Sequence, residues 1–175
     1  MAGVTEDDAA RFAYLAEGNA KQARKRVAAD VLITDRAGRV LLVDPTYKEG
    51  WDLPGGMAEA NEPPRAAAER ELREELGLAL TVGRLLLVEW LPPHGPWDDQ
   101  LMFVFDGGVL DDAMAANLRL TDEELAGLRF VTLTEAKPLL KPRLWSQLDK
   151  SLAARTSGDV AYAELAPDTA GKQKD

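Results

Sequence analysis

The stretch RELREELG, residues 70–77, gathers Glu71, Glu74 and Glu75 within about one and a half helical turns. Residues three and four apart share a helix face, so Glu71 stands beside both Glu74 and Glu75. Leu72 and Leu76 turn away toward a core. Like charges at i and i+4 destabilise an isolated helix by a few tenths of a kcal/mol, and Glu71 and Glu75 are such a pair. Two readings stand on these residues alone. One is a solvated acidic face. The other is three hard oxygen donors held for Mg²⁺ or Mn²⁺, which favour carboxylate and water ligands.

The spacing upstream decides between them. From Gly56, five residues lead to Glu62, seven more to Arg70-Glu71-Leu72, one to Glu74-Glu75, and one to Gly77-Leu78. At ordinary residue usage this pattern should arise by chance at fewer than about one in 10⁸ start positions. It resembles the Nudix box, and WDLPGG just before it resembles the usual entry to that loop.

The resemblance implies a Nudix fold, an α/β architecture with a mixed β-sheet sandwiched between helices (α/β/α). It also implies a Mg²⁺- or Mn²⁺-dependent hydrolase that cleaves the diphosphate linkage of a nucleoside diphosphate derivative or nucleoside triphosphate. Carried over residue by residue, Glu74 and Glu75 are the principal metal ligands and Glu71 is a ligand, a base, or both. The Gly56 carbonyl is a further ligand, at a position where a side chain would obstruct the backbone's approach to the ion. Arg70 pairs with Glu62 and the helix glutamates and fixes their rotamers. Many family members add a glutamate from a loop before a late strand. TDEELAGLRF is that region here, with Glu124 the candidate and Glu123 the second; a plain acidic helix start is the alternative for both. Glu71 is preferred over Glu124 as base, because the box fixes its place on the helix. Asn61 stands where the family commonly has glycine, and asparagine tolerates the left-handed conformation best among the other residues.

Substrate identity is less legible. Trp51 and Trp90 are the candidates for stacking a base, with Trp97 and Tyr47 behind them; core or loop packing is the alternative for each. Pro93 falls where ADP-ribose hydrolases of the family often carry a proline, but LPPHGP is proline-rich and the match is cheap. Triphosphates and ADP-ribose-like diphosphates both stay open. The competing function is a non-catalytic nucleotide-sensing Nudix module, which typically has eroded glutamates. His94, the single histidine, has no serine or cysteine partner by motif.

The elements that must position these residues read as follows. TEDDAARFAYLAEGNAKQARKR is a helix capped by Thr5, with Phe12, Leu15 and Ala16 as a short apolar face. VAADVLITDRAGRVLLVD is a hairpin turning at Gly38. WDLPGGMAEANEPP is a long loop, and a helix runs from about Pro63 to Leu76, stopped by Gly77. LALTVGRLLLVEWL, QLMFVFDGGVL and RFVTL are strands, and DEELAGL reads as a helical turn. EAKPLLKPRLWSQLDKSLAAR is a closing helix broken or offset at its prolines, and GDVAYAELA a short edge strand. One domain over 1–165 is expected, with the 1–25 helix packed on or beside it and a disordered tail over 166–175.

Composition sets outer limits. The 175-residue chain has no cysteine, which excludes disulfides, zinc–thiolate sites and cysteine nucleophiles. Its net charge of −9 argues against a nucleic acid polymer as partner. No run approaches the roughly 18 apolar residues of a membrane span, and the acidic N-terminus is unlike a signal peptide. A cytoplasmic protein is the simplest reading. Its expected partners are a small nucleotide-type diphosphate and, in a homodimer, a second copy of the chain.

Overall fold

The computed structural model describes residues 6–166. Its elements are α1 (Glu6–Ala20), β1 (Arg26–Asp35), β2 (Val40–Pro45), β3 (Gly55–Met57), α2 (Pro64–Leu76), β4 (Leu85–Leu91), β5 (Gln100–Leu110), α3 (Asp112–Asn117), β6 (Leu125–Val131), α4 (Leu133–Leu139), α5 (Pro142–Ser157) and β7 (Ala161–Glu164). Six strands lie in the order β6-β2-β1-β5-β4-β7, and β3 pairs with β1 off this path. β1–β5 and β4–β7 are parallel and the other pairs antiparallel, so the sheet is mixed, as expected.

Alternation along β1 builds the three layers, because successive side chains of a strand point to opposite faces. Ala29, Val31 and Ile33 pack with Ala67, Ala68, Leu72 and Leu76 of α2. Leu32, between them in sequence, packs on the other face with Ala136 of α4 and Leu144 and Leu148 of α5. A strand covered on both sides must be apolar at nearly every position, and VLI at 31–33 meets that demand. α2 is thereby fixed by its apolar stripe, which leaves the glutamates on its other side free for chemistry. Truncating Leu72, fully buried, to alanine would cost about 2–5 kcal/mol.

Several elements match the reading of the sequence. The β1–β2 turn carries Gly38 at φ +76°, and the closing helix divides into α4 and α5 just before Pro142, while Pro138 lies within α4. β7 forms the edge beside β4. Others differ. DEELAGL is not a helical turn: from Leu125 it is strand β6, paired with β2, so cross-strand hydrogen bonds override the helix preference of Glu-Glu-Leu-Ala. Strand β4 begins only at Leu85; upstream, the Val82 amide is taken by the Glu69 carboxylate. Helix α3, capped by the Asp111 side chain on the Met114 amide, was not anticipated. α1 forms, but Phe12, Tyr14 and Leu15 are exposed and so is every side chain from Asp7 to Lys25. The expected packing of this helix on the domain is therefore not found. Thr5 and residues 167–175, including nearly all of the expected tail, lie outside the described residues.

Candidate active site

α2 presents the box. Pro63 is its N-cap and Pro64 begins its first turn, where a missing N–H costs nothing. Gly77 ends it at φ +62°, returning its N–H to the Arg73 carbonyl at 3.1 Å while Leu78 returns its own to Leu72 at 3.1 Å. The loop before it turns at Asn61, the one described non-glycine residue with positive φ (63°).

β3 brings the other half of the site. It runs antiparallel to β1, with Gly55 opposite Asp30 and Gly56 opposite Ala29. Both glycines are required. A Cβ on Gly55, at φ +144°, would lie 2.3 Å from the Ala29 carbonyl oxygen. A Cβ on Gly56 would lie 2.5 Å from the Glu71 carboxyl carbon. The Gly56 backbone is thus held directly against that carboxylate.

Arg70 organises the acids. Its Nε and Nη2 donate to the two Glu62 oxygens at 2.9 Å each, and its Nη1 to Glu71 Oε1 and Glu74 Oε2 at 2.9 Å each. Nη2 also donates to the Met57 carbonyl at 3.0 Å. All five N–H donors of the guanidinium are used, which a lysine could not reproduce. The same bonds hold the Glu62 carboxyl low, at about 2, and raise the Arg70 pKa.

Glu75 differs from its neighbours. Burial first, then the charge of Glu71, pushes its carboxyl up to about 8, with Asp122 and Asp52 adding to the effect. One weak hydrogen bond from the Gly55 amide, at 3.4 Å, opposes them. The Glu71 carboxyl is also raised, mainly by burial, against the pull of Arg70. Glu124 contributes to that rise. Its segment is tied to the end of α2: Arg119 and Thr121 donate their amides to the Leu76 and Glu75 carbonyls at 3.3 and 3.0 Å, and the Thr121 hydroxyl donates to that of Glu74. Glu124 itself is exposed, and Glu123 contributes only its carbonyl, to the Thr46 hydroxyl.

The donor set fits a hard divalent cation: carboxylates that repel one another, partly desolvated, beside a backbone pressed close by two glycines. Among the described residues the carboxylates do not already converge as a ready-made metal cluster. Arg70 occupies the space between Glu71 and Glu74 instead.

The aromatic candidates divide. Trp51 packs against the α4–α5 side of the core, with the Arg129 guanidinium 5.6 Å from its ring centroid. The Trp90 indole N–H is committed to Asp99 at 2.8 Å. Both are partly buried and engaged; Trp97 and Tyr47 are the exposed ones. Residue-level reading missed Asp52, Asp122 and Asp30. Asp52 lies in WDLPGG, where its charge was the available signal. Asp30 is buried in a β-strand, where a carboxylate among VAADVL was the available signal.

Comparison with known proteins gives the family and the fold. Diphosphoinositol polyphosphate phosphohydrolase 3-alpha from Mus musculus is 42% identical over 64 residues, covering 36% of this chain and 39% of that protein. RNA pyrophosphohydrolase from Halorhodospira halophila is 44% identical over 48 residues, 27% of this chain and 26% of that protein. The matched stretch thus spans less than half the length of these curated relatives. A crystal structure of UDP-X diphosphatase superposes with a TM-score of 0.69 at 22% identity, covering 89% of this chain and 75% of that one, and so shares the fold. The NUDIX domain profile matches residues 24–154, from just before β1 into α5, and this chain therefore belongs to the NUDIX family.

Proposed function

We propose that this protein is a Mg²⁺- or Mn²⁺-dependent pyrophosphohydrolase that cleaves the diphosphate linkage of a small nucleotide-type substrate by attack of water at phosphorus. The observation that carries the reading is the gathering of half-buried carboxyls at Gly56: Glu71 lies against that glycine, and beside it Glu75 is pushed up to about 8 by burial and by the Glu71 charge. Carboxylates held together at this electrostatic cost are stabilised by a divalent cation. Glu71, Glu74, Glu75 and the Gly56 carbonyl would hold it. When bound, the cation supplies positive charge against the diphosphate oxygens and makes water easier to deprotonate.

The chain does the rest. Arg70 fixes the rotamers of Glu71 and Glu74, so the carboxylates that would hold the cation are oriented before substrate arrives. Glu71 takes the proton from the attacking water, with Glu124 the alternative from its own loop. The water oxygen bonds to one phosphorus, the bridging P–O bond breaks, and two phosphate-bearing products leave. Of the relatives, one is named for diphosphoinositol polyphosphates and another for RNA. No described helix is long and apolar enough to cross a membrane. A cytoplasmic setting belongs to the same reading, and the free edge of β7, with Tyr162 exposed, is where a homodimer would form. A panel of nucleoside triphosphates, ADP-ribose, dinucleoside polyphosphates and diphosphoinositol polyphosphates, scored with Mg²⁺ by product identity, tests the proposal. Turnover of none of them would overturn it.

A further inference from the structure

At the start of β1, linked to the box through Met57, the structure builds an aromatic platform. The β4–β5 connection closes on itself through paired backbone hydrogen bonds between His94 and Trp97, at 3.0 and 2.9 Å. This sets Trp97 over the Arg26 guanidinium, whose carbon is 4.6 Å from the ring centroid. Arg26 reaches the site as well. It lies two residues before Ala28 on β1, and Ala28 pairs with Met57. Its Nη2 is 3.8 Å from the Met57 sulfur. Met57 follows Gly56, and its carbonyl accepts from Arg70. The contacts therefore run without a break from Trp97 to the box.

Two features separate this Trp97–Arg26 pair from ordinary packing. Trp97 is 54% exposed although the Arg26 guanidinium lies against its ring, so much of a large apolar side chain is held open to solvent. Arg26 Nη1 is buried with no hydrogen-bond partner among the described residues. Leaving that donor unmade is unfavourable, so the placement of Nη1 is not explained by a polar partner of its own. A cation against one face of an indole fixes the ring's orientation and leaves the other face for a second planar group.

The surrounding charges say what kind of group. A ligand dense in phosphates needs several free cations. Here Lys25 is paired with Asp99, Lys48 with Asp52 at 2.5 Å, and Arg70 with three glutamates, while Arg26, which has no carboxylate partner among the described residues, lies against the Trp97 ring. An uncharged flat ring needs only the platform.

We infer that Trp97 is the stacking subsite for the nucleobase of the substrate and that Arg26 is the positioning residue that holds its ring. The inference rests on the hydrolase reading for its substrate class, and its test does not depend on turnover. Titrate AMP and ribose 5-phosphate, neither of which has a diphosphate to cleave, by calorimetry with Mg²⁺. AMP should bind wild type more tightly by roughly tenfold or more, the lower part of what one base–aromatic stack contributes. Trp97→Ala should abolish that difference, Trp97→Phe should restore most of it, and Arg26→Ala should reduce it while Arg26→Lys keeps part. Because Trp97 is exposed, Trp97→Ala should keep the wild-type far-UV spectrum. Equal or undetectable binding of the two probes to wild type, a difference that survives Trp97→Ala, or tighter binding of inositol hexakisphosphate than of AMP would each overturn the assignment.

Discussion

The carboxyl group of Glu71 lies where the Cβ of any other residue at position 56 would press: 2.5 Å separates its carbon from an ideal Cβ built on Gly56. The loop glycine and the helix glutamate are thus one device, spaced fifteen positions apart in sequence and in contact in space. Gly56→Ala should displace the carboxylate, the flexible end of a side chain, and leave the backbone standing. The expected result is a kcat lowered at least about tenfold with a melting temperature within about 3 °C of wild type. Wild-type turnover in that variant would show that the contact has no catalytic consequence.

Arg70 makes five hydrogen bonds to four residues. Arg70→Lys retains the charge but not the fork, so it should behave nearly as badly as Arg70→Ala. Both should lose about tenfold or more in kcat and several degrees in melting temperature. Steady-state rates and thermal melts of the two variants decide it: a lysine variant at wild-type activity would mean that charge alone suffices.

Much of this was legible in the sequence, for identifiable reasons. Helix α2 announces itself through Pro63, Pro64, its alternation of Ala67, Ala68, Leu72 and Leu76 with charged residues, and Gly77. Those are local signals, and each sits where the structure uses it. Asn61 took the left-handed conformation expected of it. What failed was non-local. β6 begins at Leu125 because β2 offers it hydrogen bonds, which no window around DEELAGL contains. Which tryptophan rings the sheet and α4–α5 cover is likewise non-local: Trp51 and Trp90 are partly buried and Trp97 is exposed. The bonds from Thr121 that tie the Glu124 segment to α2 span almost fifty residues and leave no local trace.

Asp30 gives a pH prediction. It is buried, hydrogen-bonded by the Gln147 amide at 2.7 Å, and its carboxyl is pushed up to about 8 from 3.8, first by burial and then by Asp52. Between those values the folded protein holds a proton that the unfolded chain has released. Stability from this group is therefore full below about pH 4 and is lost as pH rises through about 8. In metal-free buffer, wild type should melt lower at pH 8.5 than at pH 6. Asp30→Asn keeps an acceptor for Gln147 and cannot ionise, so its fall over that range should be smaller by several degrees. Parallel pH profiles of the two proteins would contradict the assignment.

The two candidate bases separate by kinetics. Glu71→Gln should lower kcat by at least about 10², whereas Glu124→Gln should be mild and leave metal affinity nearly unchanged, because the box ligands remain. The reverse order would move the base to the loop, where Glu124 already makes its charge felt at Glu71. In either case, ¹⁸O from labelled water should appear on one phosphorus of the product. Label on a sugar carbon would rule out attack at phosphorus.

The central claim is that Glu71, Glu74 and Glu75 are gathered to hold a divalent cation. Dialyse the wild-type protein and its Glu75→Gln variant against EDTA, then titrate each with Mg²⁺, Mn²⁺ or Ca²⁺ while following product release from the substrate identified in the screen. Wild type should be silent without metal, recover with Mg²⁺ or Mn²⁺ and recover poorly with Ca²⁺. Glu75→Gln should need more metal and reach a kcat at least about 10² lower. Full turnover in metal-free buffer, or a Glu75→Gln variant that matches wild type at every metal concentration, would contradict the account and leave the three glutamates as a solvated face.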